Sequence, residues 1–166
     1  DRIADRSKAG AKAPAFLFGP MWGTDRAMIR LRPSRPEDGP RVVEIWAAAV
    51  DATHDFLTPE DRAAIGREVE AFLPTAPLTV AVDRRDRPVG FMLIAGSHME
   101  ALFIDPEHRD AGIGRMLIEY ALAVHPILTT DVNEQNAQAV GFYKHMGFEP
   151  TGWSATDGQG RAYPLI

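Results

Sequence analysis

The chain contains no cysteine. That excludes disulfides, thiolate metal sites and a cysteine nucleophile together. It also lacks any apolar run near the ~20 residues that a membrane span needs. The short stretch Ala15-Phe16-Leu17-Phe18 is followed at once by Gly19-Pro20, too soon for the apolar part of a signal peptide. Positive charge is in deficit: 18 Lys and Arg stand against 23 Asp and Glu, a net charge of -5. A general binder of nucleic acid or anionic membrane is therefore not expected. The five histidines, His54, His98, His108, His125 and His145, show no H-x-x-x-H or H-E-x-x-H spacing, so no metal is expected. A cytoplasmic location is the default that remains.

What is present reads as one α/β domain. At 166 residues the chain can bury a core without covalent staples. Residues 1–27 mix charged and small residues without period, and are expected to be a disordered or tag-like extension, with Met28 as an original start. From there to residue 166 the pattern is that of a single domain. Ile29-Arg30-Leu31-Arg32 alternates as a half-buried strand. Val42, Ile45, Trp46, Ala49 and Val50 fall at helical spacing and predict a helix to about Val50. Thr58-Pro59-Glu60-Asp61 is a helix start: threonine as N-cap, proline at the first position, acids in the first turn. Between these helices lies a polar and aromatic connector, Asp51 to Leu57. Three sequential strands follow at Leu78–Val82, Val89–Ala95 and His98–Ile104, then a helix, a strand at 127–132, a helix from Asn136 to Met146 closed by Gly147, and a last hairpin around 157–160. Antiparallel strands followed by a βαβ crossover imply a mixed sheet of about six to seven strands with four helices, in a three-layer α/β/α arrangement.

One stretch carries most of the chemistry. His98 to Ile104 is an apolar strand that Asp105-Pro106 terminates. R-D-A-G-I-G (109–114) then opens directly into the amphipathic run Arg115 to Leu122. Glycine at a helix start admits an anion close to the backbone, where spare N–H groups and the positive end of the dipole already point. The expectation is a pyrophosphate cradle. The third glycine of the dinucleotide fingerprint is missing, since Leu117 stands in its place, and the motif does not open the domain, so a nicotinamide cofactor is disfavoured.

R-D-A-G-I-G fits the Arg/Gln-x-x-Gly-x-Gly/Ala signature of the GNAT family of acetyl-CoA-dependent N-acyltransferases, and N-A-Q-A-V-G-F-Y-K-H-M-G-F (136–148) resembles that family's second signature, N-x-x-A-x-x-F-Y-x-x-x-G-F. Within the family the chain looks most like the YjaB-type bacterial acetyltransferases, through V-D-A-T-H-D-F-L (50–57), the strand and turn at 96–106, and V-N-E-Q-N (132–136). The resemblance implies a GNAT-like fold whose sheet splays between its fourth and fifth strands. It implies that Arg109, Asp110, Ala111, Gly112, Ile113, Gly114 and Arg115 hold the pyrophosphate of acetyl-CoA. It implies that Leu102, Phe103 and Ile104 pair with the pantetheine arm, a peptide-like strand completing a sheet edge, with Asn136 against the same arm. Tyr143 is implied to be the general acid that protonates the departing CoA thiolate. His98 and Glu100, two apart on a strand, are expected to share a face and to offer a general base, with water as the alternative. Asp51, His54 and Asp55 are candidates for the acceptor site, with helix capping or loop solvation as their plainer reading. The implied reaction is direct attack of a primary amine, on a small molecule or a protein, upon the thioester, in a monomer or homodimer. The alternative is a catalytically idle CoA-binding or sensor protein.

Overall fold

A computed structural model describes residues 28–166. The extension expected over 1–27 lies outside the described residues. The elements run β1 (Arg30–Pro33), α1 (Gly39–Thr53), α2 (Pro59–Phe72), β2 (Thr79–Val82), β3 (Pro88–Ala95), β4 (His98–Ile104), α3 (Ile113–Leu122), β5 (Thr129–Thr130) and α4 (Ala137–His145). The sheet order is β1-β2-β3-β4-β5, antiparallel through β4 and parallel between β4 and β5.

The expected helix signals act as predicted. The Thr58 hydroxyl accepts from the Asp61 N–H at 3.1 Å, with Pro59 in the first turn of α2. α4 ends in a Schellman turn: Gly147, at φ 89°, donates to Lys144 O and Phe148 donates to Tyr143 O. α1 runs one turn further than expected, to Thr53, which takes Asp51 out of the connector and into the helix.

The sheet has a core on each face. Val42, Ile45, Trp46 and Val50 of α1 pack on Val80, Val82 and Phe91, with Leu73 closing the layer. On the other face Ile113, Leu117, Ile118 and Ala121 of α3 pack on Ala81, Met92 and Met99. Alternation along β2 sends neighbouring residues to opposite cores.

Among the described residues the strand count is five, where six to seven were expected. The final hairpin is reduced to bridges at Asn133–Leu165 and Ser154–Leu165. Pro150 and Pro164 each lack a ladder donor and Gly152 adds no packing side chain, so the segment pairs only locally. Its turn is present nonetheless, closed by Asp157 N–H to Arg161 O at 3.0 Å.

Candidate active site

β4 and β5 pair only at His98–Thr129 and Met99–Thr130. Beyond that point the strands part, and one edge of β4 is left without a neighbouring strand among the described residues. This is the splay that the sequence led us to expect. Its local cause is a β-bulge. Leu93 faces Ala101 while Ile94 faces Met99, so Glu100 is an extra residue on β4. Packing registers the shift: Met99, Leu102 and Ile104 lie against the α3 core, whereas Ala101 and Phe103 lie against the α1 core.

The peptide groups on the open edge follow from the ladder. The Asp105 N–H donates to Val89 O on β3 at 2.9 Å. Alternation then turns the peptides of Phe103 and Ala101 toward β3, and those of Ile104 and Leu102 toward the gap. Phe103, expected to offer its backbone, instead contributes its ring, 5.6 Å from that of Phe91.

The gap continues into a cleft of about 430 Å³. Its walls are Leu102, Phe103 and Ile104 of β4, Arg109, Asp110, Gly112, Ile113, Gly114 and Arg115 of the glycine loop and α3, and Asn136, Ala139, Phe142 and Tyr143 of α4, with Ala49, Thr53 and His54 at the α1 end. Asp110 (φ 63°) and Gly112 (φ 75°) both take left-handed conformations ahead of α3. Such alternation gathers successive N–H groups into an anion-binding nest. The first backward bond of α3 runs from Met116 N–H to Gly112 O, so the N–H groups of Ile113, Gly114 and Arg115 precede it, at the positive end of the helix. The two glycines of the motif serve different ends. Gly112 supplies the positive φ, whereas a Cβ on Gly114 would stand 3.0 Å from Phe142 Cζ, where α3 and α4 meet. The residues present thus fit a pyrophosphate at the helix terminus and an extended, peptide-like arm along β4.

Tyr143 sits at the junction of this cleft with a second cavity of about 290 Å³, lined by Thr130, Val140, Phe148 and Trp153 among others. Its ring packs edge-on to Phe142 and Phe148, at 5.4 and 5.3 Å. Burial pushes its hydroxyl up to about 12, partly offset by the Thr130 hydroxyl beside it, so the phenol keeps its proton throughout the neutral range. Asn136 lines the cleft and also caps α4, its Oδ1 accepting from Ala139 N–H at 3.1 Å.

Five of the expected residues do not line this cleft. The Ala111 side chain faces the α3 core and a neighbouring hollow on the far side of the loop. His98 is held at the paired end of β4, its Nδ1 2.8 Å from Thr129 Oγ1 and its Nε2 3.7 Å from Asp131. Glu100 is the exposed bulge residue, and the period-two rule that would align it with His98 does not carry across a bulge. Asp51 lies on the last turn of α1, where it accepts from Arg62 Nε at 2.7 Å. Asp55 is exposed at the tip of the connector.

Sequence reasoning missed Ala139, Phe142 and Met146, which share a face of α4 with Asn136 at a legible three- to four-residue spacing. It also missed a polar cluster beneath the glycine loop. There the Arg41 guanidinium donates to the buried Asp105 carboxylate and to Pro88 O, and His108 Nδ1 lies 3.6 Å from Asp105. No motif joins residues so far apart in the chain.

Residues 74–150 match the family model of the acetyltransferase (GNAT) domain. The chain is 58% identical over 139 residues to the peptidyl-lysine N-acetyltransferase YjaB of Escherichia coli (strain K12), covering 84% of this chain and 95% of that protein. It superimposes on the solution structure of apo-form YjaB from Escherichia coli with a TM-score of 0.80, over 82% of this chain and 93% of the other. The PaiA N-acetyltransferase of Thermoplasma acidophilum, crystallised with coenzyme A, shares the fold at a TM-score of 0.65 and 21% identity, over 82% of this chain and 96% of the other. The open sheet, the glycine loop at the start of α3 and the similarity along most of the chain lead to one conclusion: the protein belongs to the GNAT family of N-acetyltransferases.

Proposed function

We propose that residues 28–166 form the catalytic domain of an acetyl-CoA-dependent enzyme that acetylates the side-chain amine of a lysine in a polypeptide. The observation that carries this reading is the convergence, in one cleft, of an unpaired β4 edge, an amide nest at the start of α3 and a protonated Tyr143. The acceptor class rests on the name of the relative that is 58% identical.

In this reading the N–H groups from Asp110 to Arg115 bind the pyrophosphate, with Arg109 and Arg115 adding charge at the cleft wall. The outward peptides of Leu102 and Ile104 align the pantetheine arm by strand addition. One N–H of this edge polarises the thioester carbonyl and stabilises the oxyanion; loss of such a donor typically costs ~3 kcal/mol of barrier. The amine attacks the thioester carbon directly, with no covalent enzyme intermediate. As the C–S bond breaks, the Tyr143 hydroxyl gives its proton to the sulfur.

Calorimetry and thermal shift with acetyl-CoA test the cradle first, with NADH as the control. At a hundredfold excess over Kd, binding adds about 2.7 kcal/mol of stability, and NADH leaves the protein unchanged. Tyr143→Phe is expected to keep acetyl-CoA affinity and lower kcat ~10²-fold. An unchanged kcat removes the acid role, and tight acetyl-CoA binding with no amine acetylated would favour the idle sensor instead.

A further inference from the structure

Amine attack needs a proton acceptor, and we infer that it is His54, at the α1 end of the cleft, in place of His98 or Glu100. The inference rests on the amine-acetylating reading above. Placement is its first support. His54 lines the cleft together with Leu102, Phe103 and Tyr143, whereas His98 and Glu100 stand outside it. The connector that holds it is pinned from both sides. The His54 ring packs 5.2 Å from Phe56, Phe56 packs 6.0 Å from Tyr163, and the Tyr163 hydroxyl accepts from Thr58 N–H while donating to the Asp61 carboxylate. A base fixed by packing and hydrogen bonds loses little on reaching its working geometry.

The second support is the tautomer. Thr53 Oγ1 has a single proton, and it donates that proton to Ala49 O at 2.7 Å, one turn back in α1. The same oxygen lies 2.7 Å from His54 Nδ1. It can only accept there, so Nδ1 carries the imidazole proton and the lone pair is left on Nε2. Among the described residues His108 Nδ1 is the buried side-chain nitrogen or oxygen without a partner. Nε2 of His54 makes no bond within the described residues, so it is not sealed off from solvent.

Burial holds the His54 imidazole below its ordinary value, and the field of Asp55 only partly offsets this. The other ionisable groups around it leave that balance in place. Asp51 is paired with Arg62, Tyr143 is an uncharged phenol, and Arg109, Arg115, Asp110, His108 and His145 line the same cleft; beside burial, the field of Asp55 is the one charge effect on the ring. His54 is therefore a free base at neutral pH, where a lysine, with an ordinary value of about 10.4, arrives as the ammonium. Of the three ammonium protons, one leaves to solvent through His54 Nε2. One stays in the amide, and one replaces the proton that Tyr143 gives to the sulfur as the N–C bond forms and the C–S bond breaks.

Two measurements decide the matter. Nitrogen-15 shifts of histidine-labelled full-length protein report the tautomer without any acceptor: Nδ1–H is expected, and an Nε2–H tautomer overturns the proposal. Kinetics by thiol release use acetyl-CoA and a synthetic peptide bearing one lysine. His54→Gln is expected to lower kcat/KM ~10²-fold, to remove the acidic limb of the pH profile, and to leave acetyl-CoA affinity as in the wild type. His98→Ala is expected to retain the limb, and imidazole is expected to restore part of the activity of His54→Ala. A His54→Gln enzyme with the wild-type rate and limb refutes the base. A wild-type enzyme that acetylates no lysine peptide counts against the acceptor instead, and the tautomer measurement still decides on His54.

Discussion

The two edges of β4 are opposites. Toward β3 the strand is paired along its length, and the sheet continues to β1 over cores in which Val80, Val82 and Phe91 are fully buried. Toward β5 it pairs for two residues and then stops. On the closed side the ladder is interrupted only at the Glu100 bulge, and the buried side chains supply stability. On the open side backbone donors are withheld from the sheet, and those unmade bonds are what a peptide-like ligand can use. Fold energy and binding capacity thus reside on opposite edges of one strand, and mutations should separate them.

The largest effect is expected from Phe91→Ala on the closed side. It should cost about 4 kcal/mol of stability, seen in denaturant unfolding, while the folded fraction binds acetyl-CoA as before. Loss of affinity at full folding would show that the two edges are not independent.

Next is Asp38→Ala. The Asp38 carboxylate is buried and held by both terminal nitrogens of Arg32, at 2.7 and 3.0 Å, and by the Arg35 N–H at 2.8 Å. Removing it leaves the guanidinium with Asp86 alone, whose carboxylate accepts from Arg32 Nε at 3.0 Å, and about 2 kcal/mol of stability should go. The Arg32 hydrogen bond holds the Asp38 carboxyl below its ordinary 3.8, outweighing its burial. The folded protein therefore binds this proton less readily than the unfolded chain does. The stabilisation is complete above pH 3.8 and declines as pH falls toward the lowered folded value. Asp38→Asn should flatten that part of the acid unfolding curve.

On the open side the pattern should invert. Gly112→Val forces a β-branched residue to φ 75° and should cost only about 1–2 kcal/mol of stability, yet abolish acetyl-CoA binding by closing the nest. The smallest effect is expected for Gly114→Ala. Its Cβ would press on Phe142, costing about 1 kcal/mol and weakening acetyl-CoA only as far as α4 shifts. Equal losses of affinity for the two glycine variants would mean that both act through the nest.

The sequence was a good guide wherever a signal is local. The N-cap at Thr58, the glycine loop before α3, the α4 tyrosine and the order of elements through α4 all stand within a few residues of where periodicity and turn chemistry put them. It was a poor guide to the shared face expected of His98 and Glu100. Alternation assigns faces only while the ladder is regular, and the extra residue at Glu100 resets it. Likewise nothing near His54 in the chain separates a ligand-facing imidazole from a loop polar group. That depends on β4 and α4, which close the cleft from 48 or more residues away. The last hairpin was overcounted because apolar runs and a turn are visible locally, whereas ladder length depends on donors that Pro150 and Pro164 lack.

By itself, then, the sequence determined what short-range forces decide: caps, turns, the apolar faces of helices and strands, and the anion nest at Gly112, all set by dihedral preference and spacing. Only the tertiary structure decided which edge of β4 stays open, which histidine enters the cleft, and how burial keeps the proton on Tyr143 while disfavouring the imidazolium of His54. Those outcomes depend on groups distant in the chain meeting in a medium of low dielectric, where position sets the energy of a charge or of an unmade hydrogen bond.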